Sequence, residues 1–308
     1  MKFHSILVFS LIWVARSNEN SLLQGARNLM QAAVNKQSDE PNICDSTEDI
    51  PQNESIIQNY LDSTPSLADK FFIQGWRWHH LSIVRDAKRL NQYASIVKSG
   101  DEEDLEPLKK AVDFVFNFNL RGLADIEDKV FFPWLREKLL NSEYESEETK
   151  KAFASMIEDV DQDRKRVKDL ASKIVSYMDL ATENSVDQNM RRDALDNIIT
   201  NTDAVYNLTN SIKAREDKFL VPALMKNVSS REQKFFNHKV LRSLGILQSR
   251  KYLIGMYDAV HDPDYGNEEE QTLFVEQIPL VARMMIGSWR KSLYEPEVGM
   301  LDLSPSNS

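Results

Sequence analysis

Over most of this chain the apolar positions recur every three to four residues, and nowhere do they alternate with polar ones for long enough to suggest a sheet. Phe72, Trp76, Ile83, Ala87, Leu90, Ala94 and Val97 make one such series, with Pro65 placed to open a helix and Ser99-Gly100 to stop it. A second helix is predicted from about Leu105 to Leu140. A third runs from about Glu147 to Ala181 and carries Phe153, Met156, Val160, Val167, Leu170, Ile174 and Met178. A fourth covers about Asp187 to Lys226. Each is long and apolar on one face, and the connections are short. Antiparallel packing follows, so the expectation is an all-α, up-down-up-down four-helix bundle over residues 65–228.

Two additional C-terminal helices, about Ser230–Ala259 and Glu269–Leu293, make an extension over 229–296, divided by the turn-rich segment from His261 to Asn267. The second carries Phe274, Ile278, Leu280, Val281, Met284, Met285, Ile286 and Trp289 and is expected to lie against the bundle. Ahead of the bundle, residues 18–64 read as a short amphipathic helix, Leu22 to Val34, and a polar, acidic connector, Asn35 to Asn59. Residues 297–308 read as a tail, loose from Ser304 onward.

Met1-Lys2-Phe3-His4 precedes an apolar run from Ile6 to Val14 and then Ala15-Arg16-Ser17. A basic start, a short apolar stretch and small residues before the cut are the marks of a secretory signal peptide, here residues 1–17. The run is too short for the roughly 20 residues that span a bilayer, and no later segment reaches that length. The expectation is therefore a protein of the secretory lumen or the exterior, with no membrane span. Cys44 is the single cysteine, so no intrachain disulfide can form and packing alone must hold the fold. A free thiol and an intermolecular crosslink both remain open for it. Asn53-Glu54-Ser55, Asn207-Leu208-Thr209 and Asn227-Val228-Ser229 are glycosylation sequons, of which Asn53 is expected in a polar loop and is the best candidate. The net charge of −10, without a basic patch carrying interleaved aromatics, argues against nucleic acid and anionic membrane surfaces as partners.

One internal repeat stands out. Glu127-Asp128-Lys129-Val130-Phe131-Phe132-Pro133-Trp134-Leu135 aligns with Glu216-Asp217-Lys218-Phe219-Leu220-Val221-Pro222-Ala223-Leu224, sharing Glu, Asp, Lys, Pro and Leu on the second and fourth helices. Pro133 and Pro222 are expected to kink or end those helices. With Gly75-Trp76-Arg77-Trp78-His79-His80 opening the first helix, this pattern resembles the hemerythrin-like family of HHE cation-binding domains over roughly residues 70 to 227. The resemblance implies a four-helix bundle whose core holds a di-iron centre bound by histidines and carboxylates. Glu127 and Glu216 match the family's Glu positions, whereas Leu123 and Ile212 stand where histidines precede them. On the third helix the core-facing polar position is read as Asp163, with Asp161 as the alternative, where the family has His.

The candidate metal ligands are thus His79, His80, Glu127, Asp163 and Glu216. Adjacent helical residues point about 100° apart, so only one of His79 and His80 is expected to face the core, and the heptad favours His79. The bland reading of that imidazole is a hydrogen-bonded packing residue, and of the two glutamates an exposed patch. His261 with Asp262 and Asp264 reads as a helix end rather than a cation site, and the aromatics Phe114, Phe116, Phe118, Phe131, Phe132 and Trp134 as core. Neither a nucleophile beside a base nor a phosphate-cradling glycine loop occurs, so no catalytic residue is assigned and the chain is read as a non-enzyme. The expectation is a hemerythrin-like module with a degenerate metal site, serving an unidentified protein or small-ligand partner and requiring no cofactor. The alternatives are a carboxylate-rich site for iron, manganese or zinc, and a di-metal oxidase or oxygen-sensing relative.

Overall fold

A computed structural model describes residues 50–100, 105–141 and 145–302, all within one compact unit, Glu48–Ser308. Among the described residues the chain is all-α, with no strand. The expected signal peptide, the Leu22–Val34 helix, Cys44 and the Ser304–Ser308 tail lie outside the described residues.

Helix α1 (Ile50–Ser63) comes first, then α2 (Gln74–Ser99). The next run is continuous but not uniform: α3 (Glu106–Val112), a π-helical stretch (Asp113–Leu120), α4 (Arg121–Ile126), a π turn (Glu127–Phe131) and α5 (Phe132–Leu140). Helix α6 (Glu147–Thr182) starts on Ser146, whose hydroxyl accepts from the Thr149 amide. Helix α7 (Gln188–Arg215) starts on Asp187 in the same way and continues through a second short π turn (Glu216–Leu220) into α8 (Val221–Asn227). The C-terminal part comprises α9 (Ser230–Leu244), α10 (Ile246–His261), α11 (Glu268–Gln277), α12 (Leu280–Trp289), a further π turn (Arg290–Tyr294) and α13 (Glu295–Val298).

Helix α2 is the centre of the unit. It packs on α7 and α3 along one side and on α10 along another. That is why nearly all of it from Trp76 to Ala87 is buried, including both histidines. Helix α6 closes against α7, α1 and α5. The core comprises fully buried side chains such as Ile83, Leu90, Leu108, Leu135, Phe153, Ile174 and Ile198, each contributing roughly 1.5–3 kcal/mol over its exposed state. A second cluster joins Trp78 of α2 to Ala259 and Val260 of α10, Phe274 of α11 and Ile286 of α12. Helices α4 and α10 meet at Gly122, where an added Cβ would fall 1.9 Å from the Tyr252 hydroxyl oxygen.

Several expected boundaries are corrected. The first long helix begins at Gln74 rather than Pro65, because the irregular segment before it is bonded to other elements. Leu67 and Ala68 donate to the Met225 carbonyl at 2.9 Å and 3.1 Å, and Gln233 accepts from the Phe72 amide at 2.8 Å. Its backbone therefore does not need helical partners. The expected connector is helical from Ile50, with Ile57 and Leu61 buried one turn apart and Tyr60 edge-on to Phe153 at 5.5 Å. Asn53 accordingly sits on a helix, its amide donating to Ser155 at 3.2 Å, and not in a loop. The helix expected over Ser230–Ala259 breaks at Gly245, which takes φ +70. The one expected over Glu269–Leu293 breaks at Ile278, held extended by Pro279 after it. Residues 297–301 are no tail, since Val298 and Leu301 are buried. Helix α12 only partly faces inward: Ile286 is buried, but Leu280, Val281 and Met284 are 62%, 73% and 75% exposed. No helix of the described residues is long and apolar enough to cross a membrane.

Candidate functional site

The repeat noted in the sequence has a backbone counterpart. Glu127 and Glu216 each open a five-residue π turn, in which the Phe132 amide reaches back to the Glu127 carbonyl and the Val221 amide to the Glu216 carbonyl. The next residue in each case is the proline, Pro133 or Pro222. A proline inside an α-helix lacks a donor and clashes with the preceding turn, and the widened turn absorbs both faults. The two helices therefore continue through their prolines and do not end there. Each π turn also carries its glutamate inward, and both carboxylates are buried at 3% exposure.

Between them stands His80. Its Nε2 lies 3.3 Å from Glu127 Oε1 and 3.6 Å from Glu216 Oε2, while its Nδ1 lies 3.2 Å from the Trp76 carbonyl oxygen. A carbonyl only accepts, so Nδ1 carries hydrogen and Nε2 faces two carboxylates. Nε2 therefore carries a proton, giving imidazolium, accepts one from a protonated Glu216 carboxyl, or meets a bound cation. Burial pulls His80 down, but Glu216 and Glu127 outweigh it and hold it up at about 9. His79 lies on another face, against Asn119 Oδ1 at 2.7 Å and the Tyr252 ring at 4.8 Å. Burial lowers it to about 4, so it is a neutral packing residue between α2 and α10. The heptad preference for His79 over His80 is thereby reversed, and both are buried because α2 is covered on two sides.

The partner that the sequence reading missed is Arg164 of α6. It is 5% exposed, and its guanidinium donates to Glu127 Oε2 at 2.8 Å, Asp128 at 2.7 Å and Asp161 at 2.6 Å. It also lies over the Phe132 ring at 4.2 Å. Glu127 further accepts from the Trp76 indole at 3.0 Å. Burial alone would raise Glu127, but Arg164, His80 and Trp76 bring it down to about 2. Glu216 has no such company: its Oε1 is buried without a hydrogen-bond partner. Burial raises it to about 8, against the pull of His80. Asp163, the expected ligand on this helix, turns away to Arg215 and to Arg166 at 3.1 Å.

His80, Glu127 and Glu216 are the group among the described residues whose ligand atoms lie within 4.8 Å of one another. A cavity of about 30 Å³ adjoins His80 and Glu127, lined also by Arg164, Thr209, Leu123 and Ile212. It is large enough for a water. A di-iron centre of the kind the resemblance implies does not fit these residues. Leu123 and Ile212 offer aliphatic carbon one turn before each glutamate, and α6 contributes a guanidinium where a ligand would be needed. Comparison of the chain with family models, with curated proteins and with solved structures returns no match.

Proposed function

We propose that this is a secreted, hemerythrin-like four-helix module, not an enzyme, in which a fixed ion network replaces the metal centre. Four helical runs, 74–99, 106–140, 147–182 and 188–227, would form the bundle, with 230–301 as an added layer. The observation that carries this reading is Arg164. A permanent cation on the bundle's third helix donates to Glu127 at 2.8 Å, in the place a ligand to the metal would take. Buried carboxylates need a counter-charge, and here the chain supplies its own through Arg164 and His80. The module then serves as a scaffold for binding at its surface.

A second reading rests on Glu216. Its unpartnered Oε1, with His80 Nε2 and Glu127 Oε1, offers a one-histidine, two-carboxylate site to a single divalent cation, and the His80 Nδ1 bond to a carbonyl is the kind of outer contact that orients a metal-binding imidazole. A thermal melt separates the two. After chelator treatment, the network reading expects the same melting temperature with and without added zinc, manganese or ferrous ion. A rise that disappears in Glu216→Gln would instead establish the cation site, since a ligand binding only the folded state stabilises it by mass action.

A further inference from the structure

A cavity of about 250 Å³ lies away from the His80 cluster and is lined by Arg89, Asp258, Arg290, Tyr294, Glu295 and Asp302. Arg89 shares the face of α2 that bears His79, Ser82 and Asp86, so this cavity belongs to the C-terminal layer, bounded by α10 and the Arg290–Tyr294 turn. Two groups in its wall matter for binding, a buried carboxylate oxygen without a donor and a loosely paired guanidinium. Asp258 is 7% exposed, yet its Oδ2 has no hydrogen-bond donor; the Arg290 Nε is 3.2 Å away but not aligned to donate. Arg89 is anchored by its Nε to the Leu301 carbonyl at 3.1 Å, which leaves its outer nitrogens 3.7 Å from Asp86 and 3.8 Å from Asp302. A buried carboxylate oxygen without a donor is costly, and the outer edge of Arg89, its side chain 14% exposed, is held only by these two long ion pairs.

Charge narrows the ligand. Three carboxylates, Asp258, Glu295 and Asp302, line the cavity with two guanidiniums, so a simple anion would meet repulsion. A simple cation would leave the Arg89 edge unused. A divalent metal finds no set of ligand atoms close enough together here, since the cluster that meets this requirement among the described residues is the His80 one. We infer that the cavity binds a small zwitterion of the amino-acid class, its ammonium on Asp258 and its carboxylate on the outer edge of Arg89. This inference does not depend on how the His80 cluster is occupied.

The test is isothermal titration calorimetry of the full chain with the individual proteinogenic L-amino acids, then with the N-acetyl and carboxamide derivatives of the best binder. At least one amino acid should give saturable binding, and removing either charge should weaken it by about ten-fold or more, as the loss of a charge-assisted hydrogen bond requires. Asp258→Asn and Arg89→Gln should each do the same to the parent amino acid. Absence of saturable binding up to about 10 mM, the weak end of specific recognition, would overturn the inference. So would equal binding of an amino acid and its N-acetyl or carboxamide derivative. If either variant fails to fold, the derivatives on the unaltered chain still decide.

Discussion

Replacing Arg164 with leucine is expected to destabilise the protein by about 3–5 kcal/mol, the range for removing one partner of a buried ion pair. The side chain is 5% exposed, so solvent cannot take over its role, and Glu127 would be left buried with its Oε2 without a donor. The loss should belong to the pair and not to the arginine. Adding Glu127→Gln to the leucine variant removes the stranded charge, and the double variant should recover much of the stability, with a coupling energy above roughly 2 kcal/mol in a double-mutant cycle. Urea unfolding of the four proteins measures this. A loss under about 1 kcal/mol in Arg164→Leu, typical of an exposed pair, would mean that Arg164 does not compensate the buried carboxylate.

The second large effect is on pH. In the folded protein His80 is held at about 9, above its ordinary 6.5. Its contribution is complete below pH 6.5 and is lost as pH rises through about 9. Glu216, raised from 4.5 to about 8, also binds its proton more tightly when folded, so the two act with the same sign. On the acid side His79, lowered to about 4, and Glu127, lowered to about 2, work the other way, since each resists the protons that the unfolded chain accepts. Stability should therefore be greatest between about pH 4.5 and 6.5, where His79 and Glu216 oppose each other, and fall by on the order of 2 kcal/mol from there towards pH 9. Because His80 and Glu216 share one charge balance, their effects are not summed. Glu216→Gln should flatten the alkaline limb. A stability that holds or rises from pH 6.5 to 9 in the unaltered chain would contradict the protonated His80.

The third and fourth long helices were legible in the sequence almost to the residue, because Ser146 and Asp187 cap them and apolar residues recur at three- and four-residue steps along most of their length. What was not legible depended on partners distant in the chain. Nothing near Pro65 announces that Met225, Gln233 and Asn237 will take up the hydrogen bonds of residues 67–72. The helix from Ile50 hides its short apolar stripe, Ile57 and Leu61, in an acidic setting.

At the site, the repeated Glu-Asp-Lys motif located both buried glutamates. Choosing Asp163 on the third helix was an error of one position. Phe153, Met156, Val160, Val167, Ala171, Ile174 and Met178 recur at three- and four-residue steps, and Arg164 falls in the one gap where that series expects an apolar residue. A basic side chain filling a core position was the available signal. The choice between His79 and His80 could not be made from a heptad, since the heptad assumes one buried face and α2 has two.

The central claim is that the buried carboxylates are neutralised from within the chain. Elemental mass spectrometry of the protein, purified without chelator or affinity metal, tests it most directly. The account expects no stoichiometric iron, manganese or zinc, and an unchanged metal profile in the Glu127→Gln/Glu216→Gln variant. Stoichiometric metal in the unaltered protein, lost in that double variant, would show that His80, Glu127 and Glu216 hold a cation and would contradict it.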